Sequence, residues 1–301
     1  MVFRVTQNHN DHKFLIHNRS AREQESQTLE RISTLKKVNR GSDNPEHYNR
    51  IRDTKTDLAQ TNTFRDVLDN SLNAFQLTED ALGGIRDALD EARGVVIRGT
   101  SFINNPLERI TIADQLEQLR LTVMNRLNTQ SEGHYIFAGT DVTTQPFQDP
   151  VTGNYSGNAD AKNVRINQSD TMQVNFTGDN IAFGAGGQGS ADDILDMLQD
   201  LETAFRANDL VTINNELPRL EPALERINQL VSEVGTRSQR LLMEQNHYQA
   251  FELDLRAVLA ELEDADLAEE ALGLEAVQNT LQAQLRSQGT INRQSLLDFL
   301  S

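Results

Sequence analysis

TKTDLAQTNTFRDVLDNSLNAFQLTEDALGGIRDALDEARGVV, residues 54–96, is the stretch that decides the fold. Thr61, Leu68, Phe75, Leu82, Leu89 and Val96 recur every seven residues, and Phe64, Ser71, Thr78, Ile85 and Ala92 follow successive members by three. That is the a/d seam of a coiled coil, sustained for about five heptads with no proline inside it. A helix from Pro45 to Gly99 would span on the order of 80 Å at about 1.5 Å per residue. A rod uses such an element; a compact globular core rarely does.

On the N-terminal side, Thr6 to Val38 is helical in composition, with Phe14, Ala21, Thr28 and Leu35 seven apart and Leu29 and Ile32 alongside. One apolar residue per heptad cannot hold a helix alone, so this segment needs a partner. Asn39-Arg-Gly-Ser-Asp-Asn-Pro45 then breaks the pattern, with Ser42 or Asp43 placed to cap the next helix and Pro45 near its first turn. On the C-terminal side, Gly99 to Pro106 reads as a turn. A helix follows from about Pro106 to Thr129, striped by Ile112, Leu116, Leu119, Val123 and Leu127.

The pattern changes at His134. Tyr135 to Thr140 is aromatic and β-branched, and the chain to about Gln188 is rich in Gly, Asn, Asp and Thr. Within it Val164-Arg-Ile-Asn167 and Met172-Gln-Val-Asn-Phe176 alternate as half-buried strands do, while Asp149-Pro-Val-Thr-Gly153 and Thr177-Gly-Asp-Asn180 supply turns. The reading is a small antiparallel β-domain inserted between helices, with Gly184 to Gly189 as its return linker. That linker lacks both the Lys-Ser/Thr and the glycine spacing of a phosphate cradle.

Helices resume near Ser190. Ile194, Leu195, Leu198, Leu201 and Phe205 stripe the first. A long run from about Leu210 to Glu263, starting properly near Glu221, carries Leu220, Leu224, Ile227, Val231, Val234, Leu241 and Leu242, then Phe251, Leu255, Val258, Leu259 and Leu262. After Glu263-Asp-Ala-Asp266 comes a last helix of different character. From Leu274 to Ser301 its charges are only Glu275, Arg286, Arg293 and Asp298, while Leu274, Val277, Leu281, Leu285, Ile291, Leu296, Phe299 and Leu300 are apolar. In a chain of net charge −17, a helix stripped of charge is a helix to be covered.

That charge argues against nucleic acid and against anionic membrane surfaces. No run of about 18 apolar residues exists, so no membrane insertion is expected. The polar N-terminus lacks the apolar region of a Sec-type signal peptide. There are no cysteines, hence no thiolate chemistry. His9, His12 and His17 are scattered in a polar terminus and make a poor metal set. There is no HExxH, and the carboxylates alternate with Lys and Arg as on solvated faces. Neither an enzyme nor a cofactor is expected.

The order is therefore helix, linker, long helices, β-insert, long helices, acidic linker, helix. Six segments in that order resemble the flagellin-like family, and within it the hook-associated protein 3 group: Asn39 to Pro45; His134 to Thr140 with Pro146-Phe147; Asn154-Tyr-Ser-Gly-Asn158; Val234-Gly-Thr-Arg-Ser-Gln-Arg-Leu241; Glu263 to Asp266; and Ser295-Leu-Leu-Asp-Phe-Leu300. The N-terminal Met1-Val-Phe-Arg4 with its histidines is a looser match.

The resemblance implies a mainly α, elongated, flagellin-like rod with a small inserted β-domain and with N- and C-terminal helices pairing as a coiled coil. It implies residues 1–40 and 264–301 as the inner wall of a tube, 41–139 and 190–263 as the surrounding rod, and 140–189 as a surface-exposed β-domain. Unfolded export through the flagellar type III export apparatus after binding a cytoplasmic chaperone would account for the missing signal peptide. The implied place is extracellular, in a ring of subunits at the hook–filament junction between hook-associated protein 1 and flagellin. Assembly contacts then fall on Phe14, Ala21, Thr28, Leu35, Leu274, Val277, Leu281, Leu285, Ile291, Leu296, Phe299 and Leu300. A flagellin filament subunit is the alternative within the class; outside it, a cytoplasmic coiled-coil adaptor.

Overall fold

The computed structural model describes residues 2–101, 105–149 and 153–300, with side chains from 12 to 289 except those of 101 and 288. Eight α-helices are described: α1 (Val2–Thr34), α2 (Pro45–Ser101), α3 (Pro106–Leu127), α4 (Gly178–Phe183), α5 (Ile194–Ala207), α6 (Leu210–Glu216), α7 (Leu220–Glu263) and α8 (Leu267–Leu300). The strands are short: β1 (Gln130–Ser131), β2 (His134–Tyr135), β3 (Asn163–Arg165) and β4 (Thr171–Gln173). They form two separate antiparallel ladders, β1 with β2 and β3 with β4.

The heptad seam of α2 is where the sequence puts it. Leu68, Phe75, Leu82, Ile85, Leu89, Ala92 and Val96 are all fully excluded from solvent, and Thr61, Ser71 and Thr78 are buried beside them. The two hydroxyls at Ser71 and Thr78 donate to the carbonyls of Val67 and Ala74 one turn back, so these small polar seam residues bury no unpaired group. In the central part of the chain α7 is the partner of this seam. Phe64 stacks on Tyr248 with ring centroids 5.3 Å apart, and Arg93 pairs with Glu221 at 2.9 Å, so the two helices run antiparallel.

Two corrections concern helix ends. Asn44, not Ser42 or Asp43, caps α2: its side chain accepts from the His47 N–H at 3.0 Å, with Pro45 as the first helical residue. Asp43 instead accepts from the backbone N–H groups of Asn39 and Arg40, which shapes the turn before the cap. At the other end Gly99 is no turn but sits inside the helix. A Cβ there would lie 2.6 Å from Phe205 Cε1 and 2.8 Å from Ile112 Cδ1, so glycine is what lets α3 and α5 close onto α2.

The chain forms two compact units, one of residues 1–61 with 251–301 and one of residues 62–250. They part within α2 and α7, farther along the helices than the breaker clusters that suggested boundaries at 40/41 and 263/264. In the central unit the insert has no core of its own. Phe137, Phe147, Ile166, Met172, Val174 and Phe176 belong to the same continuous apolar cluster as Leu68, Phe75, Leu116 and Leu198. Its strands are shorter than the alternation suggests, and Thr177 to Asn180 is not a turn but the start of α4. The β1–β2 hairpin turns at Glu132 and Gly133, both at positive φ (51° and 82°), as a two-residue hairpin of right-handed twist requires.

The glycine-rich return segment is pinned. The Arg226 guanidinium donates to the carbonyls of Ile181, Ala182 and Asp192, and Gly189 N–H donates to Asp193. Asp193 also caps α5, accepting from the N–H groups of Leu195 and Asp196.

Candidate assembly surface

The first and last helices pair, as their thin apolar stripes require. Arg31 meets Glu270 at 3.0 Å, and Gln278 donates to Glu25 at 3.3 Å, so α1 and α8 run antiparallel. Ala21, Thr28 and Leu281 are buried in the seam, and Phe14, Ile32, Leu274 and Val277 are half-buried. Two of the expected contact residues stand outside the α1–α8 seam. Leu35 lies one residue beyond α1 at φ 58° and is half exposed, because the left-handed conformation there ends the helix. Leu285 is in α8 but 53% exposed. Ile291, Leu296, Phe299 and Leu300 lie outside the described side chains.

The pairing uses little of the apolar surface available to it. Leu15, Ile16 and Leu29 on α1, and Leu267, Leu272 and Leu285 on α8, remain exposed; Leu272 is 69% exposed. Leu15 and Ile16 sit off the heptad positions of the first helix, and Leu267 and Leu272 precede Leu274, where the charge-poor part of the last helix begins. The seam itself is partly polar. Asn18 Nδ2 and Gln284 Oε1 are both buried without a hydrogen-bond partner. Unsatisfied buried amides cost about 1–3 kcal/mol each, so the pair is held weakly for its length.

The exits of α1 and α7 meet in a joint. Lys37 N–H donates to the Glu263 carbonyl at 2.7 Å and Ala265 N–H to the Leu35 carbonyl at 3.0 Å, closing an antiparallel bridge between Lys36 and Asp264. Leu35 thus contributes through its backbone. Glu263, with its carboxylate buried, pairs with Lys36 at 2.5 Å and Lys55 at 2.9 Å. Burial pushes this carboxyl up, but the hydrogen bonds and charges of the two lysines more than reverse that, so it sits below the usual glutamate range. Val38, Ile51 and Leu262 form a small apolar cluster in the same unit.

Two of the quoted motifs acquire a physical reason in the insert. Asn128, at the end of α3, accepts from Phe147 N–H at 2.9 Å and donates to its carbonyl at 2.8 Å, which fixes the Pro146-Phe147 segment on the helix end. The Tyr155 hydroxyl lies 2.9 Å from the Phe137 carbonyl and 2.8 Å from that of Asn158, tying the 154–158 segment to the 134–140 segment. Burial pushes this phenol above its ordinary value.

Residues 5–142 match the family described as the bacterial flagellin N-terminal helical region. Among characterised proteins, flagellar hook-associated protein 3 of Escherichia coli is 27% identical over 153 residues, which is 50% of this chain and 48% of that protein. The match thus spans about half the length of that relative. Flagellin FlaB1 of Treponema pallidum is 22% identical over 90% of this chain and 91% of its own. Among solved structures, a flagellar hook-associated protein of Vibrio parahaemolyticus superposes with a TM-score of 0.67 at 20% identity, over 74% of this chain and all of that one. The flagellar junction protein FlgL of Legionella pneumophila does so with a TM-score of 0.54 at 15% identity, over 71% and 98%. Residues 5–142 are accordingly similar to the bacterial flagellin N-terminal helical region, and the chain has the fold of flagellar hook-associated proteins.

Proposed function

We propose that this chain is the hook–filament junction subunit of a bacterial flagellum, an extracellular structural protein built into a ring with copies of itself. The observation that carries this reading is the α1–α8 pair: weakly sealed, partly polar in its seam, and apolar on its outside, in a chain similar to hook-associated protein 3. Leu15, Ile16, Leu29, Leu272 and Leu285 would be covered by neighbouring subunits, together with Phe14, Ala21, Thr28, Leu274, Val277 and Leu281 where the pair re-sorts on assembly. The terminal helices would then line the tube, the long helices surround them, and the insert lie outermost. Hook-associated protein 1 on one side and flagellin on the other are the neighbours this position requires. A cytoplasmic chaperone and the flagellar type III export apparatus are the partners its passage requires.

The test is deletion of the gene in its host, with electron microscopy of the cells and a blot of the medium for flagellin. Hooks without filaments, with flagellin released to the medium, are the expected result. A second reading, a filament subunit, is favoured by the longer but weaker match to Treponema pallidum flagellin. Normal hooks with no flagellin in either place would support it. Intact filaments in a host without a second copy would overturn both.

A further inference from the structure

The joint brings together three segments that are far apart in sequence: the exit of α1, the first turns of α2 and the end of α7. One carboxylate oxygen, Glu263 Oε1, receives Lys36 from the first and Lys55 from the second. The Glu263 side chain is 10% exposed while the lysines are 44% and 48% exposed, so the acid is the enclosed member. Around it the charged groups are Lys36 and Lys37 on the α1 exit, Lys55 on α2, and Glu261 and Asp264 at the end of α7. Lys37 is used otherwise, donating to the Glu261 carbonyl. Two backbone hydrogen bonds and the Val38–Ile51–Leu262 cluster also hold this crossing.

We propose that Glu263 is an electrostatic latch: its negative charge holds the two exits of the terminal helix pair against α2 and α7, and its neutralisation by acid releases that crossing while the helical core stays folded. Protonation would leave Lys36 and Lys55 converging on a neutral group and repelling each other. The backbone bridge between residues 35–37 and 263–265 would then face water with only a small apolar cluster behind it. An enclosed carboxylate stripped of its cations is the more costly arrangement, and there acid should help rather than harm. The inference concerns the isolated chain and stands apart from the flagellar reading.

The experiment is hydrogen exchange by mass spectrometry on the full chain, corrected for intrinsic rates, at about pH 6.5 and about pH 3.5, either side of the ordinary glutamate value near 4.3. In the wild type, peptides covering residues 35–38 and 263–266 should lose several-fold in protection on acidification, within the roughly sevenfold ceiling that one carboxyl with an open-state value near 4.3 sets at about pH 3.5, while a peptide covering 82–89 keeps its own. Glu263→Gln should show little protection at the joint at either pH. Lys36→Met with Lys55→Met should reverse the trend, being poorly protected near neutrality and recovering in acid. Wild-type joint protection that is unchanged by acid would overturn the proposal. So would a Glu263→Gln variant that keeps the wild-type acid response, since the proton would then act elsewhere.

Discussion

Leu82→Asp places a carboxylate in the middle of the α2 seam, where the leucine side chain is wholly excluded from solvent. Two losses combine. Removing a fully buried leucine costs about 2–5 kcal/mol in transfer and cavity terms. The incoming acid enters the apolar cluster that holds Phe75, Ile85 and Leu89, which adds several kcal/mol until the group takes up a proton. The sum, about 5 kcal/mol or more near neutral pH, matches the whole stability of many domains of this size. Urea unfolding followed by circular dichroism should therefore show the central unit largely unfolded at pH 7. The folded-state pKa of the new acid is raised, so the folded form binds a proton more readily than the unfolded form. Stability should then rise as pH falls from about 7 to about 5, more steeply than in the wild type. Glu79→Ala, one turn away on the exposed face, is the control and should shift stability by no more than about 0.5 kcal/mol. A Leu82→Asp variant within about 1 kcal/mol of wild type would refute the phasing of the seam.

Removal of residues 273–301 should leave the central unit folded, because none of its cluster comes from α8 among the described residues, but should abolish complementation of a deletion strain. Loss of most helical signal in circular dichroism would contradict this. Tyr155→Phe removes the hydroxyl that ties two segments of the insert together and should cost about 1–2 kcal/mol in urea unfolding. An unchanged midpoint would mean that the hydroxyl spans nothing of consequence.

The α2 seam was legible because its partner is a helix: a period of seven along 40-odd residues leaves one solution, and every seam position from Thr61 to Val96 is buried apart from the half-buried Phe64. The stripes of α3 and α5 were legible for the same reason. Legibility failed where a residue's role is set by a neighbour remote in sequence. Gly99 reads as a turn because glycine usually makes one, yet it is needed by Phe205, which arrives more than a hundred residues later. Leu35 continues a heptad count, but the bridge to Ala265 requires a left-handed residue at that point. The insert reads as a domain because alternation reports local burial and is silent about which surface does the burying.

From sequence alone came the helices, their seams, the need of both terminal helices for a partner, and the family resemblance, since each is written in periods of three to seven residues or in contiguous motifs. Tertiary structure decided what those elements meet. It drew Lys36, Lys55 and Glu263 into one joint, put Asn18 and Gln284 unbonded in the terminal seam, and left Leu15, Ile16 and Leu272 exposed outside it. The physical reason is that charge pairing and exposure depend on distances across the chain, and no local pattern encodes those.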